Sequence, residues 1–216
     1  MTMTGNFQPR YPLYKDKGED MEIRCVVNTL FSSCTYAIMQ GKSAWLVDCG
    51  DVEEILPLLH GPLCGVLLTH THFDHIYGLN RLLKVFPELP IFTNEAGKEG
   101  LLNDKLNLSR YHEQPFVLDS PGNIRVVEDG QQVELFDGVN VQAVFTPGHS
   151  TTCVTWLMDD AVFTGDSYIP GVKTVTIFPH AEKHLVTQSE EMIRRMAVNR
   201  NIFPGHAPQL IENDFI

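Results

Sequence analysis

Several features are missing from this 216-residue sequence. No run of about 18 apolar residues occurs, so no membrane-spanning helix is expected. Basic residues are scarce: 16 Lys and Arg stand against 27 Asp and Glu, for a net charge of −11. That balance repels phosphate backbones and anionic membranes, and no Lys/Arg run offsets it locally. Nucleic acid and membrane surfaces are therefore not expected partners. The cysteines are few, odd in number and widely spaced: Cys25, Cys34, Cys49, Cys64 and Cys153, with no CxxC. A disulfide framework or a Cys-rich zinc site is not expected; buried thiols in a reducing compartment are. Residues 1–20 lack a basic stretch followed by an apolar one, so no secretory signal is read and the cytoplasm is the expected location.

What is present describes a globular chain. The apolar fraction is 43% and the charged fraction 20%, and the length suits one domain, 1–216, with residues 1–20 as a polar N-terminal arm. Strand-like runs begin at Ile23–Val27 and continue at Cys34–Met39, Ala44–Val47 and Val66–Leu68. Apolar residues at 52, 55, 56 and 59 predict a helix from Val52 to His60 with Asp51 as its N-cap. Leu79–Phe86 and Asn94–Leu102 read as helices flanking a strand at Ile91–Thr93. Residues 103–123 read as a loop or lid. Ile124–Phe145 holds two or three strands, with turns at Asp129-Gly130 and Asp137-Gly138. A hairpin at Val154–Phe163, a helix at Ser189–Val198 and a strand at Ile202–Phe203 complete the chain. Sheets packed together with helices outside are expected. The two halves also echo each other: strand, Asp48, helix, strand, His70 in the first, and strand, Asp166, helix, strand, His206 in the second.

The chemistry concentrates in Thr69-His70-Thr71-His72-Phe73-Asp74-His75, where four metal-binding side chains occupy six positions directly after an apolar strand. In extended backbone His70 and His72 point to one side, while Asp74 and His75 fall where the chain turns toward a helix. Zinc favours such His and carboxylate donors. Three further segments have the same form. Thr146-Pro147-Gly148-His149, Phe163-Thr164-Gly165-Asp166-Ser167 and Pro204-Gly205-His206 each set one donor just past a strand, after a glycine. His60, His112, His180 and His184 lack that context and are expected at the surface.

HxHxDH followed by TPGH, FTGDS and a late PGH resembles the metallo-β-lactamase superfamily, in order and context, from about residue 22 to residue 208. The resemblance implies an α+β fold, a four-layer αβ/βα sandwich with a metal site at one edge of the paired sheets. It implies that His70, His72 and His149 hold one metal, that Asp74, His75 and His206 hold a second, and that Asp166 bridges both. Asp48 matches a recurrent acidic residue beneath the site that orients a ligand histidine. Two zinc ions per chain are expected, with iron or manganese as alternatives for the same donors.

The implied activity is hydrolysis of a small-molecule thioester, ester or lactone by a metal-bridging hydroxide, with Asp74 orienting the nucleophile. Asp166 points away from β-lactam hydrolysis. The chain resembles glyoxalase II in its ligand set, yet only ten residues follow His206, so that family's helical C-terminal domain is not expected. Lactonases share the ligand set. The alternative readings are a mononuclear non-haem iron sulfur dioxygenase and a metal-bearing binding protein without turnover. The loop after the bridging Asp offers Tyr168, to donate to a substrate oxygen, and Lys173, to meet a substrate carboxylate. Tyr111 and His112 are weaker candidates in the expected lid.

Overall fold

The computed structural model describes Tyr14–Lys15 and residues 21–207. Of the expected arm, only Tyr14–Lys15 (β1) falls within that range, paired antiparallel with Ile23 and Glu22. The other strands are β2 (Met21–Val27), β3 (Cys34–Gln40), β4 (Ser43–Val47), β5 (Leu63–Leu67), β6 (Ile91–Thr93), β7 (Ile124–Val126), β8 (Gln132–Phe136), β9 (Val139–Phe145), β10 (Val154–Leu157), β11 (Ala161–Gly165) and β12 (Asn201–Pro204). The helices are α1 (Val52–Ile55), α2 (Phe73–Ile76), α3 (Leu79–Val85), α4 (Glu95–Leu101) and α5 (Val186–Met196). One sheet runs β1-β2-β3-β4-β5-β6-β7 and the other β12-β11-β10-β9-β8. Of the two or three strands expected in Ile124–Phe145 there are three, but β7 closes the first sheet while β8 and β9 open the second.

Period-two alternation explains how strands that read as continuous apolar runs serve two cores. In β4, Trp45 and Val47 face the second sheet; Ala44 and Leu46 face the helices. The inter-sheet core joins Tyr36, Ile38, Trp45 and Leu67 to Val141, Ala143, Trp156, Phe163 and Phe203. The outer core packs Leu46, Val66 and Leu68 against Ile55, Ile76, Leu79, Leu82 and Leu101 of the helices. On the far side α5 buries Ile193, and its Ser189 hydroxyl donates to Pro147 O. The result is the expected αβ/βα sandwich.

Polar groups inside the sandwich fix how the sheets meet. Trp156 Nε1 donates to Leu68 O (2.9 Å), Tyr36 OH to Pro204 O (2.7 Å) and Val154 N to Thr69 O (2.7 Å). Each partner lies within two residues of a candidate site residue, so the bonds that dock the sheets also align their edges. A buried donor left without such a partner would cost about 1–3 kcal/mol.

The echo between the halves takes physical form. β4 and β5 are parallel, joined through α1, and β11 and β12 are parallel, joined through α5. An aspartate follows the first strand of each pair and a histidine the second. Some local expectations are corrected. The first helix ends at Ile55 and continues only as a 3₁₀ turn, because Pro57 has no N–H to extend the ladder. Asp51 occupies the N-cap position without capping; its carboxylate accepts from Thr29 N and Oγ1 and from Tyr77 OH. α5 starts three residues before the expected Ser189.

Candidate metal centre

All seven histidines and aspartates expected as ligands meet at one edge of the sandwich. His70 follows β5 and His72 is the N-cap residue of α2, whose first turn carries Asp74 and His75. His149 follows β9, Asp166 follows β11 and His206 follows β12. Two glycines make the convergence possible. Gly165 has φ +50°, and a Cβ there would fall 2.5 Å from Thr69 Oγ1. A Cβ on Gly205 would fall 2.1 Å from Asp166 Oδ1, inside the site itself. At Gly165 only glycine permits both the turn and the approach, and at Gly205 the approach.

The donor atoms form two triads. Those of His70, His72 and His149 lie within 4.8 Å of one another, as do those of Asp74, His75 and His206. His72 Nδ1 and His149 Nε2 are 2.9 Å apart, and His75 Nε2 and His206 Nε2 3.4 Å. Asp74 Oδ2 is 3.3 Å from both His75 Nε2 and His206 Nε2. Asp166 stands between the triads: its Oδ2 is 3.4 Å from His149 Nε2, 3.4 Å from His206 Nε2 and 4.0 Å from His70 Nε2, and its Oδ1 is 3.6 Å from His75 Nε2.

The surroundings set the tautomers. His149 Nδ1 is 2.8 Å from Val175 O and His206 Nδ1 is 2.8 Å from Phe31 O. A carbonyl only accepts, so both Nδ1 atoms carry a proton, and Nε2 is the atom that each ring turns inward. Asp48, buried beneath, does the same for the other half of the site. Its carboxylate accepts from Thr69 N (2.8 Å), from Thr69 Oγ1 (2.7 Å) and from His75 Nδ1 (2.9 Å). Since the Thr69 hydroxyl proton goes to Asp48, Thr69 Oγ1 accepts from His70 Nδ1 at 3.1 Å. Asp48 thus orients His75 directly and His70 through Thr69. The relay by Thr69, and the carbonyls of Phe31 and Val175, carry no signature in the sequence.

This donor chemistry fits a pair of cations. His70 Nε2 and Asp166 Oδ1 are buried without a hydrogen-bond partner. Such atoms cost about 1–3 kcal/mol each, a cost that coordination removes. Burial, with the neighbouring His149 adding to it, pushes the His72 imidazole down to about 3, and burial holds His70 well below its ordinary range. Both imidazoles are then neutral at pH 7. Burial also opposes charge on Asp74 and Asp166, but His75 and His206 outweigh it and hold both carboxyls well below their ordinary range. Against burial, the same carboxylates raise His75 well above its usual value and His206 to about 10. Protons on these two rings answer the carboxylates, and a bound cation would replace them.

Over the triads lies a cavity of about 460 Å³. His72, Asp74, His149, Asp166 and His206 form its floor, and its walls are largely apolar, with Phe31, Phe73, Leu108, Ile169, Val172 and Phe178. Lys173 lines it. Tyr168 does not appear in this lining: its ring lies 4.9 Å from the Arg194 guanidinium, a cation–π contact that turns it toward α5. His112, expected at the surface, is half-buried in the wall, its ring 4.6 Å from that of Phe73. His60, His180 and His184 are exposed.

The sequence profile of the metallo-beta-lactamase superfamily matches residues 27–206, and the chain belongs to that superfamily. Over 199 residues it is 27% identical to a probable metallo-hydrolase of Streptococcus pyogenes serotype M6, covering 87% of this chain and 84% of that one. Over 189 residues it is 32% identical to an atrochrysone carboxyl ACP thioesterase of Aspergillus fumigatus, covering 83% of this chain and 51% of the relative. Among solved structures, the BLEG-1 B3 metallo-beta-lactamase superposes with a TM-score of 0.76 at 21% identity, covering 86% of this chain and 92% of that one; this likeness is one of fold.

Proposed function

We propose that this protein is a metal-dependent hydrolase that uses two cations to open a small-molecule thioester, ester or lactone. The observation that carries this reading is the pair of inward-facing triads with one carboxylate, Asp166, within reach of both. His70, His72 and His149 would hold one cation, Asp74, His75 and His206 the other, and Asp166 both; zinc suits the donors, and iron or manganese are accepted by the same set. Bound cations would supply Lewis acidity, which lowers the pKa of water and polarises a carbonyl oxygen. Asp74 borders the cavity, where its carboxylate orients the attacking water. Lys173, at the cavity wall, meets an anionic group of the substrate. The thioesterase relative favours the thioester among the three electrophiles. The acidic surface favours small-molecule substrates over nucleic acid, and among the described residues no helix is long and apolar enough to cross a membrane.

The test is metal analysis and turnover on one preparation, screened over thioesters, esters, lactones, β-lactams and phosphodiesters. Two cations per chain with acyl hydrolysis is the expected result. One iron with oxygen uptake identifies a dioxygenase instead, and full metal content without turnover identifies a binding protein.

A further inference from the structure

One side of the cavity wall is built from the segment that the sequence marks only as a loop or lid. Between α4 and β7 the chain forms no α-helix or strand, yet it is pinned at several points. The buried Asn107 donates to Gly100 O (2.9 Å) and Phe116 O (3.0 Å) and accepts from Ser109 N (3.0 Å). Ser109 Oγ accepts from Phe116 N (2.8 Å), and Arg110 pairs with Asp104 (2.8 Å). Phe116 and Leu118 anchor the segment in the outer core. Within this framework Leu108 is held at φ +67°, a conformation that a branched residue rarely adopts, and its side chain lines the cavity. Across the chain, Phe31 repeats the arrangement: φ is +53°, its carbonyl accepts from His206, and its ring lines the same cavity while half of it stays exposed. Tyr111, also lining the cavity, is 93% exposed. Two bulky residues in strained backbone beside a site mark a shape held for use.

We propose that this chamber selects the substrate by a bulky apolar group, an aromatic ring or a medium-length aliphatic chain, attached to the scissile carbonyl. The proposal rests on the hydrolase reading above and names the substrate class it leaves open. The volume lies in the range of drug-sized ligands, about 300–1,000 Å³, far beyond what an acetyl or lactoyl group fills. The apolar side chains Leu108, Val172, Ile169, Phe178 and Phe31 stand around the donor atoms, so an apolar group there replaces water with contacts. Each methylene so buried is worth about fourfold in affinity or in kcat/KM, until the chamber is full.

The experiment is a series of straight-chain acyl thioesters from acetyl to decanoyl, assayed on the metal-loaded enzyme. In parallel, binding of the matching alkyl methyl ketones to the metal-free protein is measured by calorimetry. The expected result is a rise of about fourfold per methylene in both measurements. In Leu108→Gly, which relieves the positive φ while removing the wall, and in Tyr111→Ala, which alters an exposed ring, the octanoyl-to-acetyl ratio falls by about tenfold. A flat series, or a preference for acetyl, with active enzyme overturns the chamber while leaving the hydrolase reading. Graded ketone binding without turnover of any acyl compound upholds the chamber and overturns the hydrolase reading. An unchanged chain-length ratio in both variants overturns the assignment of this wall.

Discussion

Asp48→Asn alters one buried atom and inverts the polarity of everything above it. Asp48 Oδ1 accepts from Thr69 N–H at 2.8 Å, so that position must remain oxygen in the variant. The amide nitrogen takes the place of Oδ2, 2.7 Å from Thr69 Oγ1 and 2.9 Å from His75 Nδ1. It brings two N–H donors and no acceptor. One donates to His75 Nδ1, which must then be bare, and the ring proton moves to Nε2. The other donates to Thr69 Oγ1, whose hydroxyl turns to His70 Nδ1 at 3.1 Å and moves that proton to Nε2 as well. One imidazole in each triad thereby loses its inward lone pair. Outer partners of this kind are worth about 10- to 100-fold in metal affinity, or about 1.4–2.7 kcal/mol per site. The Thr69 N–H bond is kept and the others survive with their direction reversed, so the fold should change by no more than about 1 kcal/mol. Chelator competition measures the affinities, and long-range ¹H–¹⁵N spectra of the metal-free protein read the tautomer of the neutral His70 ring. Wild-type affinity at both sites, with the Nδ1–H tautomer retained on His70, would refute the reasoning.

Asp74→Asn should reduce turnover by about 100-fold or more, the scale of general-base contributions, and wild-type turnover would remove Asp74 from that role. His206→Ala should purify with near one cation per chain and Asp166→Ala should lose more than one; metal analysis with the order reversed would show that Asp166 is not the bridge. In the metal-free protein burial lowers His206, but Asp166 and Asp74 outweigh it and raise it to about 10. A raised folded-state pKa contributes stability in full below about 6.5 and loses it as pH climbs to 10. Thermal scans in chelator should show Tm falling across that window, and a Tm that rises there contradicts the assignment.

Much of this structure was legible because the donors travel in short motifs tied to strand ends. HxHxDH after an apolar run, and Gly followed by His or Asp after three other strands, place seven side chains without any knowledge of pairing. The βαβ echo was legible for the same reason, since each parallel pair lies close in sequence. What escaped is set by contacts between segments far apart. Tyr168 was expected near the substrate because it follows Asp166, but Arg194, on a helix 26 residues on, takes its ring. Asp51 was read as a cap from its neighbours, whereas Thr29 and Tyr77 claim it from two other segments. Phe31 gave no sign at all: a phenylalanine at φ +53° has no sequence marker, unlike a glycine. The chamber wall was hidden because Asn107 and Ser109 hold it through hydrogen bonds rather than through a periodic pattern.

Each triad draws two donors from the segment after β5 and one from the opposite sheet, His149 in one case and His206 in the other. Neither sheet alone presents a complete set. A cation bound to either triad would therefore act as a clasp, recognising the two sheets only when they are joined. By mass action such a ligand adds about 2.7 kcal/mol to the joined state at 100 times its Kd and about 4.1 at 1,000 times. That is comparable to a large part of a domain's whole stability. The chain would then be most resistant to separation of its layers in the same state in which it is competent to react, and a fold error that shifted one sheet against the other would cost the molecule its metal before anything else.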